Sequence, residues 1–271
     1  MVACTQQTEP RPGEEVILIS IVVPIYNGAT LLKGLLSSLE PWLARTDTEV
    51  LFVDDGSTDG SADILRDARG VHLVSAERNL GPGAARNLGA QRARGKLLWF
   101  LDADVLPHPD GLSRLLDWEQ RQPGEAAVFG SYDTNPTDTG WISQFKNLMH
   151  HYVHQNASEE AGTFWTGCGA IRRAAFLEMG GFDAERFPKP SVEDIELGLR
   201  MRAAGLHVRL DPKLLVCHRK RWTLGSLLWT DVFLRGVPWT HLCLQYGEMR
   251  ADLNLSWTHR LSVVLVWTVL L

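Results

Sequence analysis

The chain has 271 residues, 45% of them hydrophobic, with 27 Lys and Arg against 32 Asp and Glu for a formal charge of −5. That balance fits one large α/β domain or two small ones and excludes disordered and fibrous classes. The charge is uneven: residues 200–271 hold 10 Lys and Arg against 4 Asp and Glu, or +6, leaving −11 on the first 199. This argues against nucleic acid as the main partner and suits an anionic surface at the C-terminal side.

Residues 1–15 are polar, include Pro10 and Pro12, and read as a flexible N-terminus without the apolar core of a signal peptide. Cys4, Cys168, Cys217 and Cys243 form no Cys-x-x-Cys pair, which points to a reducing, cytoplasmic setting. Residues 16–23 are almost all β-branched or Leu and predict a first strand, closed by Pro24. The following Ile25-Tyr26-Asn27-Gly28 is not the Gly-x-Gly-x-x-Gly of a dinucleotide fingerprint. Pro24 and Tyr26 either offer a backbone edge and an aromatic wall to a base, or close the strand on a half-buried ring. Leu31, Leu32, Leu35, Leu36 and Leu39 recur at helical spacing, and Pro41 is expected to end that helix.

A second strand over residues 50–53 runs into Asp54-Asp55-Gly56-Ser57-Thr58-Asp59-Gly60, where Asp59 or Ser61 is expected to cap a helix. Turn and cap chemistry accounts for Gly56, Ser57 and Asp59. It leaves Asp54, the first residue beyond a buried strand, placed to accept a hydrogen bond from a base N–H. His72, by a short strand over residues 71–74, reads as surface. The glycines of Asn79-Leu80-Gly81-Pro82-Gly83 permit a tight turn into a small-residue helix. Arg86 then sits in its first or second turn, where the helix field disfavours a cation, so a bound phosphate or a polarised base carbonyl would offset its charge.

Leu97-Leu98-Trp99-Phe100-Leu101 is a strand buried on both faces, and Asp102-Ala103-Asp104 follows at once. In open α/β sheets ligands sit at that end of the strands, and two carboxylates one residue apart can turn toward one divalent cation. Asp104 is the better placed as a direct ligand, with Asp102 nearer a ribose or a metal-bound water.

The first hundred residues therefore read β-α-β-α-β-α-β. With Pro24-Ile25-Tyr26-Asn27, Asp54-Asp55-Gly56-Ser57-Thr58-Asp59, Asn79-x-Gly81-x-Gly83-x-x-Arg86-Asn87 and Asp102-Ala103-Asp104 in this order, the chain resembles the family 2 glycosyltransferases of the GT-A fold, in particular bacterial-type membrane-associated members. The resemblance implies a Rossmann-like, mostly parallel sheet flanked by helices. It implies that Asp54 binds the uracil N3–H, that Arg86 helps hold the uracil or the diphosphate, that Asp102 meets the ribose and the metal site, and that Asp104 coordinates Mn2+ or Mg2+. A cation there would stabilise the charge that develops on a nucleoside diphosphate leaving group.

Beyond residue 105 the pattern gives a helix over 112–118, a strand over 126–130, and a loop rich in Thr, Asn, Pro and Asp over 133–140. His150, His151 and His154 fall on a helix without the Glu of a His-Glu-x-x-His zinc site, and read as a polar flank near the acceptor. Phe164-Trp165-Thr166-Gly167-Cys168 leads by a close-packed turn into a short strand; by the resemblance, this stretch, Gly167 included, floors the donor-sugar pocket. Cys168 has no visible base partner and reads as packing. Ser191 is expected to cap the helix that begins Val192-Glu193-Asp194-Ile195, and acids at a helix start have a structural role of their own. The match to the family's Glu-Asp pair implies Asp194 as general base toward an acceptor hydroxyl, with Glu193 beside it, in a single inverting displacement.

Short strands over 208–210 and 214–217 flank Asp211-Pro212, and His218 either completes the metal shell beside Asp104 or caps the sheet edge. Arg219-Lys220-Arg221 either meets a diphosphate or a lipid headgroup or is a plain solvated turn, with Arg221 and Trp222 as candidate donor or acceptor contacts. The catalytic domain thus spans 16–221, divided into a nucleotide-binding half, 16–105, and a catalytic half, 106–221. Residues 222–271 form an amphipathic segment, Trp-rich at first and ending in Leu261-Ser262-Val263-Val264-Leu265-Val266-Trp267-Thr268-Val269-Leu270-Leu271, suited to a membrane interface. Eleven helical residues reach about 16 Å, short of a bilayer core of about 30 Å.

The expected activity is metal-dependent transfer from a nucleotide sugar, UDP-linked by the Asp54 and Tyr26 reading, to a glycan or lipid-linked acceptor at the plasma membrane. The alternatives are a nucleotidyltransferase acting on a sugar phosphate, or a nucleotide-sugar-binding protein without catalysis. The missing Gly-rich first loop counts against the former, and retention of Asp104 with Asp194 against the latter.

Overall fold

The computed structural model describes residues 17–247. β1 (Ile19–Ile25), β2 (Thr48–Asp54), β3 (Val71–Ser75) and β4 (Leu97–Leu101) run parallel, returned by α1 (Ala29–Leu43), α2 (Ser61–Asp67) and α3 (Pro82–Arg92). All five residues of β4 are buried, because helices cover the sheet on both sides. On one face Leu32, Leu35, Leu39 and Trp42 of α1 pack against Ile21, Val23 and Trp99. On the other, Ala85 and Ala90 of α3 pack against Val22, Val53 and Phe100. The small residues of α3 let it lie close: a Cβ on Gly89 would meet Val22 Cγ1 at 2.5 Å.

The chain continues through β5 (Val105–Pro107), α4 (Gly111–Arg121), β6 (Glu125–Tyr132), α5 (Trp141–Asn156), β7 (Cys168–Arg172), α6 (Arg173–Glu178), α7 (Glu193–Ala203) and β8 (His207–His218). The eight strands form one sheet in the order β3-β2-β1-β4-β7-β6-β8-β5. β7 inserts antiparallel between β4 and β6, β6 and β8 are parallel, and β5 pairs antiparallel with β8. Four of the seven pairings are parallel, the mostly parallel α/β arrangement expected. A last helical stretch comprises α8 (Leu224–Trp229), a π-helical segment (Thr230–Gly236) and α9 (Val237–Tyr246). Among the described residues no helix is long and apolar enough to cross a membrane.

Several boundaries differ from the sequence reading. Pro24 lies inside β1, opposite Val53 of β2; β4 pairs with β1 only as far as Val22, so a residue without an N–H is tolerated there. Pro41 sits in the last turn of α1, which runs on to Leu43. The two short strands around Asp211-Pro212 are one twelve-residue strand, β8, whose pairing with β6 shifts register between Phe129 and Ser131. Val192, and not Ser191, precedes α7, while the Ser191 hydroxyl donates to the Leu234 carbonyl at 2.8 Å. Residues 133–140 are a tied loop: Asp133 is buried, and the Thr137 N–H donates to the His218 carbonyl at 3.1 Å. The expected flexible tail over 1–15 and the apolar run 261–271 lie outside the described residues.

Candidate active site

A cleft of about 680 Å³ opens where the C-terminal ends of β1, β2 and β4 meet the start of α7 and the end of β8. Pro24 and Tyr26 enter it from β1 and its loop, Arg86 from α3, Asp102 and Asp104 from the loop after β4, Glu193 and Asp194 from α7, and His218 from β8.

Arg86 is buried and carries two ion pairs, to Asp102 Oδ1 at 2.6 Å and to Glu193 Oε1 at 3.2 Å. Burial opposes its charge, but Asp102 and Glu193 more than offset this and raise its pKa. The cation in the early turns of α3 is thus balanced by the chain's own carboxylates, where the sequence suggested a bound anion. Glu193 also accepts the Ser191 N–H at 2.9 Å through its other oxygen, so it joins the start of α7 to the floor of the cleft.

Asp194 is held differently. Its Oδ2 accepts from the Thr166 N–H at 3.1 Å and the Thr166 hydroxyl at 3.2 Å, and its Oδ1 from the Ile195 N–H at 2.8 Å. Burial, and then the neighbouring Glu193 charge, push its pKa up to about 6 in spite of these bonds. A carboxylate in that position is ionised at neutral pH and is a stronger proton acceptor than an ordinary Asp.

Asp104 and His218 meet because Val105 of β5 pairs with His218 of β8, and the Arg219 N–H donates to the Asp104 carbonyl at 2.8 Å. Asp104 Oδ2 lies 3.8 Å from His218 Nε2, beyond hydrogen-bond reach. Burial works against the Asp104 carboxylate, but His218 and Lys220 outweigh it and keep its pKa below the ordinary value. His218 stacks on Tyr132, with ring centroids 4.2 Å apart and planes 12° apart. Ligand atoms about 2.1 Å from one ion lie about 3 Å apart when cis and about 4.2 Å apart when trans, and the 3.8 Å between the Asp104 and His218 atoms falls between the two. Among the described residues no third His, Cys, Asp or Glu joins them.

Of the residues singled out from sequence, the structure brings Pro24, Tyr26, Arg86, Asp102, Asp104, Glu193, Asp194, His218 and Trp222 to the cleft. Asp54, Gly167 and Arg221 are not in its lining. Asp54 is buried, with Oδ1 accepting the Ser57 N–H at 3.1 Å. The neighbour Asp55 lines the cleft instead, and its two oxygens accept the Leu80 and Gly81 N–H groups at 2.8 and 2.9 Å. Successive side chains alternate across a strand end, so only one member of an Asp-Asp pair can face the ligand side. A Cβ on Gly167 would lie 2.2 Å from the Trp165 ring, and it is Trp165 that reaches the cleft. Arg221 is exposed.

His150 and His154 do not form a polar helix flank: both line the cleft, their ring centroids 4.0 Å apart, beside Tyr132 and Trp165. Burial lowers the pKa of His154 to about 4 and that of His150 well below the usual value, so both are neutral. His151 places Nδ1 2.6 Å from the Tyr132 carbonyl. Tyr132, Lys220, Arg235 and Trp239 complete this side. Cys168 is fully buried and its thiol is pushed up to about 12, which suits packing and not attack.

The profile of the family described as Glycosyl transferase family 2 matches residues 20–180. The chain belongs to that family. It is 29% identical over 231 residues to a validoxylamine A glucosyltransferase of Streptomyces hygroscopicus subsp. jinggangensis, covering 73% of this chain and 54% of that protein. It is 32% identical over 167 residues to an undecaprenyl-phosphate 4-deoxy-4-formamido-L-arabinose transferase of Aeromonas hydrophila, covering 59% and 49%. The chain thus spans about half the length of the curated relatives it matches. Among solved structures, a mannosyltransferase of Pyrobaculum calidifontis in complex with GDP-Man and Mn2+ superposes with a TM-score of 0.58 at 22% identity, over 81% of this chain and 63% of that one. That likeness is one of fold, and it agrees with the GT-A arrangement. These relatives are named glycosyltransferases, and the cleft is the candidate nucleotide-sugar site of this family 2 chain.

Proposed function

We propose that the protein moves a sugar from a UDP-sugar to a hydroxyl of a glycan or lipid-linked acceptor, with inversion at the anomeric carbon and with a divalent cation, at the cytoplasmic face of a membrane. The observation that carries the reading is Asp194, a carboxylate with its pKa raised to about 6, lining one cleft with Asp102 and Asp104. Asp194 takes the proton from the acceptor hydroxyl as its oxygen attacks. No second carboxylate is required as a nucleophile, so one displacement inverts the centre. Pro24 and Tyr26 border the base, and Arg86 fixes Asp102 and Glu193 in place around the ribose and the sugar.

Asp104 and His218 would hold Mn2+ or Mg2+, which when bound neutralises charge on the leaving diphosphate. Magnesium in particular is commonly held by one or two carboxylates together with substrate phosphates. The Mn2+ in the mannosyltransferase structure supports this reading. The undecaprenyl-phosphate relative supports a lipid-linked acceptor. The division into a nucleotide half, 16–105, a catalytic half, 106–221, and a membrane-associated segment, 222–271, follows the same logic. The basic, Trp-rich stretch from Arg219 to Trp239, which leads into that segment, is the membrane-contacting part.

The test is a panel of labelled sugar nucleotides and acceptors, with NMR assignment of the product linkage. A product that retains the donor's configuration, or pyrophosphate release in place of sugar transfer, defeats the proposal. Because the Pyrobaculum neighbour binds GDP-Man, the nucleotide panel also decides between uracil and guanine.

A further inference from the structure

Helix α5 is built inside out. Its buried residues are Ser143, Lys146, Asn147, His154 and one apolar side chain, Val153, yet Trp141, Phe145, Leu148 and Tyr152 are 73%, 56%, 42% and 66% exposed. At about 100° per residue these four fall within an arc of about 60°, opposite the buried side. Most inward polar groups have specific partners, with Asn147 Oδ1 left without one. Lys146 pairs with Asp231 at 2.6 Å, Asn147 donates to the Asp133 carbonyl at 2.7 Å, and His154 Nδ1 lies 2.9 Å from the Gly130 carbonyl. The helix is therefore fixed in this rotation, with its apolar stripe directed away from the protein.

The stretch from α8 to α9 lies alongside, tied to α5 by the Lys146–Asp231 pair and by the Trp222 N–H donating to Ser143 Oγ at 2.8 Å. It exposes Leu224, Leu228, Trp229, Val232 and Phe233, with Trp229 and Phe233 ring to ring at 4.6 Å. Together these helices carry eleven of the fifteen exposed large apolar side chains among the described residues. Such clustering marks an interaction surface and not the scattered exposure normal for a monomer.

We propose that α5 and the α8-to-α9 stretch form one docking face for the interface of an anionic bilayer, with α5 supplying a half of it outside the segment already assigned to the membrane. This rests on the membrane reading above and extends it to a second helix. Three features favour lipid over another protein. Trp and Tyr rings, at home where hydrocarbon meets headgroups, stand at both ends of the α5 stripe and again in Trp229. Lys220 and Arg221, just ahead of α8, are exposed cations at the start of the stretch. The chain beyond Gly247 also contains the apolar run 261–271. The geometry is useful as well: Thr230, Leu234, Arg235 and Trp239 of the same stretch line the cleft, so an acceptor with a lipid anchor would reach Asp194 from the bilayer surface.

The test is flotation of the full chain with vesicles of phosphatidylcholine and phosphatidylglycerol, comparing the wild type with Phe145→Glu/Leu148→Glu/Tyr152→Glu and the milder Phe145→Ala/Leu148→Ala. Circular dichroism and UDP calorimetry serve as controls of fold and cleft. The triple variant should partition about 100-fold or more weakly and the double variant to an intermediate degree, with UDP affinity unchanged. If the wild type floats and the triple variant floats equally, the α5 half is wrong while the reading of residues 222–239 stands. If the wild type does not float, both are wrong. Should the wild type sediment as a dimer that the α5 substitutions dissociate, the occupant of the stripe is a second copy and the bilayer assignment is overturned.

Discussion

Replacing Asp194 by Asn removes a charge that the fold holds at a cost, and the cost can be read separately from catalysis. Moving a carboxyl from its ordinary 3.8 to about 6 corresponds to about 3 kcal/mol of preference for the protonated form in the folded state. The sign follows directly. Below about pH 4 the group is protonated folded or unfolded, and it costs nothing. Between about pH 4 and 6 the unfolded chain ionises first and stability falls; above about pH 6 the full penalty is present. An amide avoids this, but with a single acceptor oxygen it loses either the Thr166 or the Ile195 bond, a pH-independent loss of about 1–3 kcal/mol.

Denaturant unfolding of both proteins from pH 4 to 8 should therefore show the stability difference moving in favour of the variant by about 3 kcal/mol across that range, whatever its starting value. In the labelled-transfer assay the same substitution should lower kcat by about 10² to 10⁴. The limb of kcat/KM that rises near pH 6 in the wild type should vanish, while UDP binding is nearly retained. A stability difference flat from pH 4 to 8, or turnover at the wild-type rate, would refute the assignment.

Three further outcomes follow from the same site. Arg86→Ala leaves Asp102 and Glu193 without their common cation, and its unfolding free energy should drop by about 3–5 kcal/mol; a loss under 1 kcal/mol in denaturant titration would show the pairs to be incidental. Asp104→Ala, or chelation of divalent ions, should weaken UDP binding by calorimetry and slow transfer together, with His218→Ala the milder change; affinity indifferent to chelation removes the ion from this site. UDP should bind more tightly than GDP or CMP, and Asp55→Ala should weaken it more than Asp54→Ala because only Asp55 reaches the cleft; the opposite ranking returns the base contact to Asp54.

The first four strands were legible because each is a short, mostly apolar run that gives way to polar residues, and β4, wholly apolar before Asp102 and Asp104, is the clearest case. β8 was harder to read, since Asp211 and Pro212 interrupt its pattern where its pairing with β6 shifts register, and so two strands were expected for one. The antiparallel insertion of β7 has no local signature at all, because strand order is decided by pairing across the sheet. In the site, Arg86 and Glu193 were each noticed, but a salt bridge across 107 positions cannot be inferred from spacing. His150 and His154 were misplaced for a more instructive reason. Periodicity assigns the apolar stripe of a helix to the core, and in α5 that stripe faces outward while the histidines face the cleft.

The pairing of Val105 with His218 also sets an order of events during synthesis. The strands up to β4 can assemble as soon as they are made, since each lies beside partners already present. The cleft at that stage would have Asp102, Asp104 and Arg86, but neither Glu193 to complete the ion pairs of Arg86 nor Asp194 to accept a proton. Only when β8 emerges and draws β5 against it does His218 arrive beside Asp104. Contacts this distant in sequence close late because of their loop-closure cost. A nascent chain would therefore carry an incomplete cleft, without Glu193, Asp194 and His218, through the whole stretch of translation between β4 and β8.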